Sequence, residues 1–269
     1  MRKKVQYYIA SGPGIEIRRS WMSIDRDYKK PRGTRRVGSS TEQKIRANEK
    51  GRVRTLARLL NCNYGAGDVH AVLKYDAAHY PSGLTYEQAR ENLKKFLGKL
   101  RKKYRTETGK SLRAVWITAN WSPHREAPAA LHHHLVLPAD AMQLAWDLWD
   151  GFGGTGTTKM ETLDNRGDHT DLAAYLCANV KGRPANENRW GCSRGMDRPI
   201  IFGLEEVDDI EDVQPVYSGI VKDVEEIRDE DGRCVSKYMR CVLPERPRLR
   251  GGMVILPKRR KKRDGDKLG

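Results

Sequence analysis

Leu131-His132-His133-His134-Leu135-Val136-Leu137 decides how this chain is read. Pro138 closes the run, and its apolar content marks a buried β-strand. Successive side chains of a strand point to opposite faces. His132, His134 and Val136 therefore share one face, while Leu131, His133, Leu135 and Leu137 take the other. Burying polar imidazoles without partners costs free energy, which a metal or a hydrogen-bond network offsets. Two imidazoles on one face of a rigid strand can hold one divalent cation. The pair His132 and His134 is the candidate metal site.

Working outward, the neighbouring segments alternate between strand and helix patterns. Val69–Asp76 reads as a buried strand, and Thr85 to Gln88 caps a helix with Ala89, Leu93, Phe96, Leu97 and Leu100 at helical spacing. Ala114–Thr118 is a second strand. Asp140–Trp149 reads as a helix, Lys159–Leu163 as a short strand, and Thr170 opens a helix containing Leu172, Tyr175, Leu176, Asn179 and Val180. Ser40 and Gln43 stand at capping-box spacing ahead of a further helix. Its apolar stripe is Ile45, Val53, Leu56, Leu59 and Leu60. The pattern predicts an α+β fold with a central antiparallel sheet flanked by helices.

Four segments are expected. Residues 1–39 are a basic flexible arm, rich in Gly, Pro and Ser. Residues 40–203 form the sheet domain. Residues 204–257 form a small acidic appendage in which Tyr217–Ile227 and Cys234–Leu243 flank a turn as a β-hairpin. Residues 258–269 are a basic tail. No internal repeat is evident.

The 269 residues carry a formal net charge of +16, unevenly spread. Residues 1–60 hold 17 Lys/Arg against 5 Asp/Glu, and Lys258–Arg263 is a run of six cations. Basic arms around a domain are the footprint of a polyanion binder. Nucleic acid is favoured over a membrane surface, because no apolar helix face accompanies the basic runs. Arg46, Arg52, Arg54 and Arg58 give the first helix a face of one sign and are candidate phosphate contacts. Trp190, among Arg189, Cys192, Ser193 and Arg194, is a candidate for stacking on an unpaired base, with Arg194 beside it. The five cysteines form no CxxC pair, which argues against a zinc ribbon or a disulfide framework. No segment has the length of a membrane span. Gly151–Gly156 satisfies GxGxxG, but a helix precedes it where a dinucleotide site needs a strand. Thr157 stands where a P-loop needs Lys. No nucleotide cofactor is expected.

From about Ser40 to Pro199 this succession resembles the HUH endonucleases, and within them the rolling-circle replication initiators of phages and plasmids, of the filamentous-phage gene II type. The resemblance rests on the strand before the capped helix, on His132-x-His134 in an apolar strand, and on Tyr175 in a later helix with Lys181 nearby. Softer features are Asn48, Arg58–Asn61 and Gly67-Asp68. It implies a metal-dependent single-strand DNA endonuclease and strand transferase. His132 and His134 would hold Mg²⁺ or Mn²⁺, Tyr175 would be the nucleophile, and Lys181 or Asn179 would assist. The implied partners are single-stranded or origin-hairpin DNA, a host helicase and a polymerase, in the cytoplasm of a bacterial host cell. Such proteins often place an acidic or polar third ligand where this chain has Ala119. Asn120 or His124 could substitute, or water could. An origin-binding protein with impaired catalysis is the alternative reading.

Overall fold

A computed structural model describes residues 2–23, 42–80, 83–152, 159–182, 189–215, 219–229, 231–250 and 253–255. In chain order these form β1 (Arg2–Ser11), β2 (Gly14–Ser23), α1 (Glu42–Asn63), β3 (Val69–Lys74), α2 (Tyr86–Thr108), β4 (Val115–Ser122) and β5 (Ala127–Leu137). They continue with α3 (Met142–Asp150), β6 (Lys159–Thr162), α4 (Thr170–Ala178), β7 (Gly191–Cys192), β8 (Ile200–Glu206), β9 (Ile220–Arg228), β10 (Cys234–Val242), β11 (Arg248–Arg250) and β12 (Met253–Ile255). The fold is α+β, with two antiparallel five-stranded sheets. The chain divides into two compact units, residues 47–197 and residues 1–46 with 198–269.

The central unit holds the sheet β6-β3-β5-β4-β7, with the histidine strand β5 in its middle. Period-two alternation divides its side chains between two cores. Leu73, Leu135 and Leu137 pack with Phe96, Leu97 and Leu100 of α2 and Trp149 of α3. Val115, Ile117 and Val136 pack on the other side with Leu56, Leu59 and Leu60 of α1 and with Ala173, Leu176 and Cys177 of α4. Helix α2 starts where the sequence predicts. The Thr85 hydroxyl accepts from Gln88 N, while the Gln88 side chain accepts from Thr85 N, which satisfies two donors a bare helix end would orphan. It ends at Gly109, in the left-handed region at φ +70°, where glycine carries no Cβ penalty. At the sheet edge Gly191 lies against the Trp116 indole. A Cβ there would stand 2.5 Å from Trp116 Cε2. Gly191→Ala should therefore displace Trp116 and destabilise the unit by about 1–3 kcal/mol, read as a lowered midpoint of denaturant unfolding.

The second unit corrects the expected domain plan. Residues 2–23 are not a flexible arm. They form the hairpin β1–β2 in the sheet β8-β1-β2-β10-β9. The signal was Gly12-Pro13 between two alternating stretches. Ile9, Ile15 and Ile17 are buried, and Gly12 takes φ +56° at the turn. The predicted hairpin of residues 204–257 is present as β9–β10, but it is not a separate appendage. β10 pairs with β2 from Ser236↔Ser20 to Val242↔Gly14. β8 runs through the expected boundary at 203 and pairs with β1. Edge strands present unpaired backbone groups, and sequence-distant pairing satisfies them on both sides of the N-terminal hairpin. Residues 24–39, the capping residue Ser40, most of the glycine loop and the basic tail 258–269 lie outside the described residues. Among the described residues no helix is long and apolar enough to cross a membrane.

Candidate active site

Strand register places the histidines. His132 and His134 face the α1/α4 side, and their Nε2 atoms stand 3.1 Å apart. His133 points the other way. Its Nε2 lies 2.6 Å from the Tyr75 hydroxyl and its Nδ1 3.1 Å from Thr118 Oγ1, and it is fully buried. Alternation divides the strand as expected from His132 to Leu137, while Leu131 borders the cavity of His132 and His134.

A third imidazole joins the pair. His70 of β3 is diagonal to His134 across the ladder, where His70 pairs with Val136 and Val72 with His134. Its Nε2 is 3.0 Å from His134 Nδ1, and the two rings are 12° from parallel. Glu161 of β6 is directly opposite His70, with its carboxylate 3.9 Å from His70 Nδ1. His70 and Glu161 escaped the sequence reading because no local motif couples them to the triple histidine. The available signal was a polar residue at the second position of an otherwise apolar strand.

The tautomers follow from one fixed acceptor. His132 Nδ1 is 2.8 Å from the Ala130 carbonyl, which can only accept, so that nitrogen carries the proton. Burial disfavours the charged form of all these rings. It lowers the His132 pKa, and takes His70 to about 4, His133 to about 3 and His134 to about 2. Neutral His132 thus presents a bare Nε2. One arrangement has His134 Nδ1–H donate to His70 Nε2. His70 Nδ1–H then faces the Glu161 carboxylate, and His134 Nε2 is also bare. Two neutral imidazole nitrogens side by side make a two-point metal donor, with His70 and Glu161 orienting the second ring. Their separation matches neighbouring ligands around an octahedral ion with bonds of about 2.1 Å.

Other ligands are not supplied by the predicted positions. Ala119 is indeed opposite His132 in the β4–β5 ladder, and it offers only a methyl group. Asn120 spends its amide on Lys181, accepting from its backbone N and donating to its carbonyl. His124 is exposed, with its ring 5.6 Å from that of Tyr175. Among the described residues no group of three or more His, Cys, Asp or Glu side chains is arranged to hold a metal. The pair His132 and His134 is thus what the described residues could offer an ion here, two nitrogen donors.

Tyr175 comes to the histidines because α4 is pinned at both ends. At its start, His169 N donates to Asn61 Oδ1 of α1 at 2.7 Å. At its end, Asn120 N and Trp121 N both donate to the Asn179 carbonyl, at 3.1 and 3.2 Å. The bulge in β4 between Ala119 and Trp121 turns both N–H groups toward the helix. The Tyr175 ring centroid then lies 5.5 Å from that of His134 and 6.1 Å from that of His70, edge-on to both. Tyr175, His132, His134 and Asn179 line one cavity of about 400 Å³, together with Lys74 and Lys159.

Compared with protein-family models, curated proteins and solved structures, the chain matches none.

The remaining predicted residues divide. Lys181 does not join Tyr175. Its ammonium sits 3.8 Å from the centre of the Trp121 ring and lines a separate cavity with Arg52. The lysines that line the cavity with Tyr175 are Lys74 and Lys159, the latter ion-paired with Glu161. Sequence distance hid Lys159, since β6 reaches the site only through its pairing with β3. Arg46 is exposed on α1, while Arg52, Arg54 and Arg58 are half-buried. Trp190 is half-buried beside β7, and Arg194 is exposed in the turn that follows. Lys159→Ala should lower the rate of any reaction at the Tyr175 phenol about tenfold or more, and Lys181→Ala should leave it within about threefold, by initial rates of adduct formation.

Proposed function

We propose that the chain nicks and rejoins single-stranded DNA by metal-dependent transesterification and so initiates rolling-circle replication. The observation that carries this reading is that Tyr175, edge-on to His134, shares one cavity with the adjacent His132 and His134 nitrogens and with two lysines. The Tyr175 oxygen attacks a backbone phosphorus. The Oη–P bond forms, the P–O3′ bond breaks, and the 3′-oxygen departs with a proton as a hydroxyl able to prime synthesis. The phenol proton passes to solvent. Lys159 and Lys74 hold the strand's phosphates and stabilise negative charge on the phenol oxygen. His132 and His134 would hold Mn²⁺ in preference to Mg²⁺, given nitrogen donors, and the ion supplies Lewis-acid polarisation of the phosphate. The ester conserves the energy of the broken bond, so rejoining needs no nucleotide. Helicase and polymerase would be host partners in the cytoplasm of a bacterial cell.

A second reading, an origin-binding protein of impaired catalysis, is favoured by one observation, the methyl group of Ala119 where a third ligand would face His132. Incubation with labelled single-stranded DNA and Mn²⁺, followed by denaturing electrophoresis, separates the two. A covalent adduct lost on chelation supports the nickase, and tight binding without an adduct supports the second reading. His132→Ala and His134→Ala should each reduce adduct at least tenfold. His133→Ala should act on stability instead, because it opens a cavity in the buried core and removes one hydrogen-bond partner from each of the Tyr75 and Thr118 hydroxyls on the opposite face.

A further inference from the structure

The central unit carries a second cationic cavity, of about 640 Å³, between α2 and the β4/β7 edge of the sheet. Its floor is the Trp116 indole, held by Gly191 behind it and covered by the Arg101 guanidinium at 5.2 Å. Arg101 is exposed, and no carboxylate pairs with it among the described residues. Arg90 likewise lies over a ring, Tyr86, at 5.8 Å. Lys94 pairs at 3.7 Å with Glu91, the lone carboxylate among the lining residues. Arg189 borders the cavity. It pairs with Glu49 at 3.6 Å, and its buried Nε has no hydrogen-bond partner among the described residues. Trp190 completes the wall, and no other ring or cation stacks on it among the described residues.

We propose that this groove binds single-stranded DNA, stacking a base on Trp190 and taking backbone phosphates on Arg90 and Arg101. Arg90 and Arg101, whose neighbours are rings rather than carboxylates, form a site that lacks its anion. The Trp190 indole beside them offers a π-face to any base, the composition of a single-strand track. Duplex DNA keeps its bases stacked inside and cannot use the indole. The groove would hold a part of the strand remote from the bond that is broken, and so sets how much flanking DNA the protein needs. The inference rests on the nucleic-acid reading of the chain, but not on its chemistry.

The test uses the full chain as Tyr175→Phe, in EDTA, with fluorescein-labelled (dT)15 read by anisotropy. Trp190→Ala should weaken binding about 5- to 150-fold, the range of one lost base stack. Trp190→Phe should recover most of it. Arg90→Ala with Arg101→Ala should lower the slope of log K against log salt by about 1.4, for two phosphates. Duplex of equal length should compete poorly. An oligonucleotide carrying 5-iododeoxyuridine should photocross-link to Trp190, located by peptide mass spectrometry without any substitution in the groove. Wild-type affinity and salt slope in the groove variants, with cross-links elsewhere, would overturn the proposal. So would equal competition by duplex. The two readings fail separately. With no adduct in Mn²⁺ but Trp190-dependent binding in EDTA, the nickase falls and the groove stands. An adduct formed while groove variants bind normally gives the reverse.

Discussion

Tyr175→Phe is expected to abolish covalent capture of single-stranded DNA while leaving the fold intact. The substitution keeps the ring that packs edge-on to His70 and His134 and removes only the oxygen. Stability should change by less than about 1 kcal/mol. Without the phenol oxygen no Oη–P bond can form, so adduct should fall at least about 10³-fold, equivalent to about 4 kcal/mol of barrier. The other tyrosine bordering the cavity, Tyr75, cannot take over. Its hydroxyl is bound to His133 on the far face, and burial raises its pKa. Denaturing electrophoresis with peptide mapping checks this. An adduct persisting in Tyr175→Phe, or mapping to another residue, would remove the nucleophile from the site and the nickase reading with it.

The second large effect is loss of stability in mild acid. His70, His133 and His134 are buried and neutral in the folded chain, with pKa values pushed down by burial to about 4, 3 and 2. In the unfolded chain each titrates near 6.5. Above that pH neither state is protonated and their contribution is fully present. As pH falls below about 6.5 the unfolded state binds protons that the folded state refuses. Stability then drops by about 1.4 kcal/mol per pH unit for each ring, about 4 for the three together. The loss continues until pH passes the folded values, beginning with His70. Against a typical stability of about 5–15 kcal/mol, the central unit should unfold between about pH 6 and 4. Circular dichroism against pH reads the transition. An unchanged spectrum at pH 4 would mean that the rings are hydrated and already charged, contrary to their packing.

Much of this was legible in the sequence because period-two alternation and helix capping are local. A strand with three consecutive histidines must divide them between faces, which alone determined that His132 and His134 converge and that His133 does not. Thr85 and Gln88 fixed the start of α2, and the charge distribution pointed to a polyanion. What local pattern could not supply was pairing between distant segments. Whether β6 lies beside β3 depends on the whole sheet closing, and only that brings Glu161 to His70 and Lys159, rather than Lys181, into the cavity of Tyr175. The same holds for the first 23 residues. Their alternation was present beneath a basic composition. The partners that make them a sheet, β8 and β10, come from about two hundred residues away or more. Side-chain period is set by the backbone of each strand, while register and neighbours are set by burial summed over the fold. Tertiary structure therefore chose which charges and imidazoles meet.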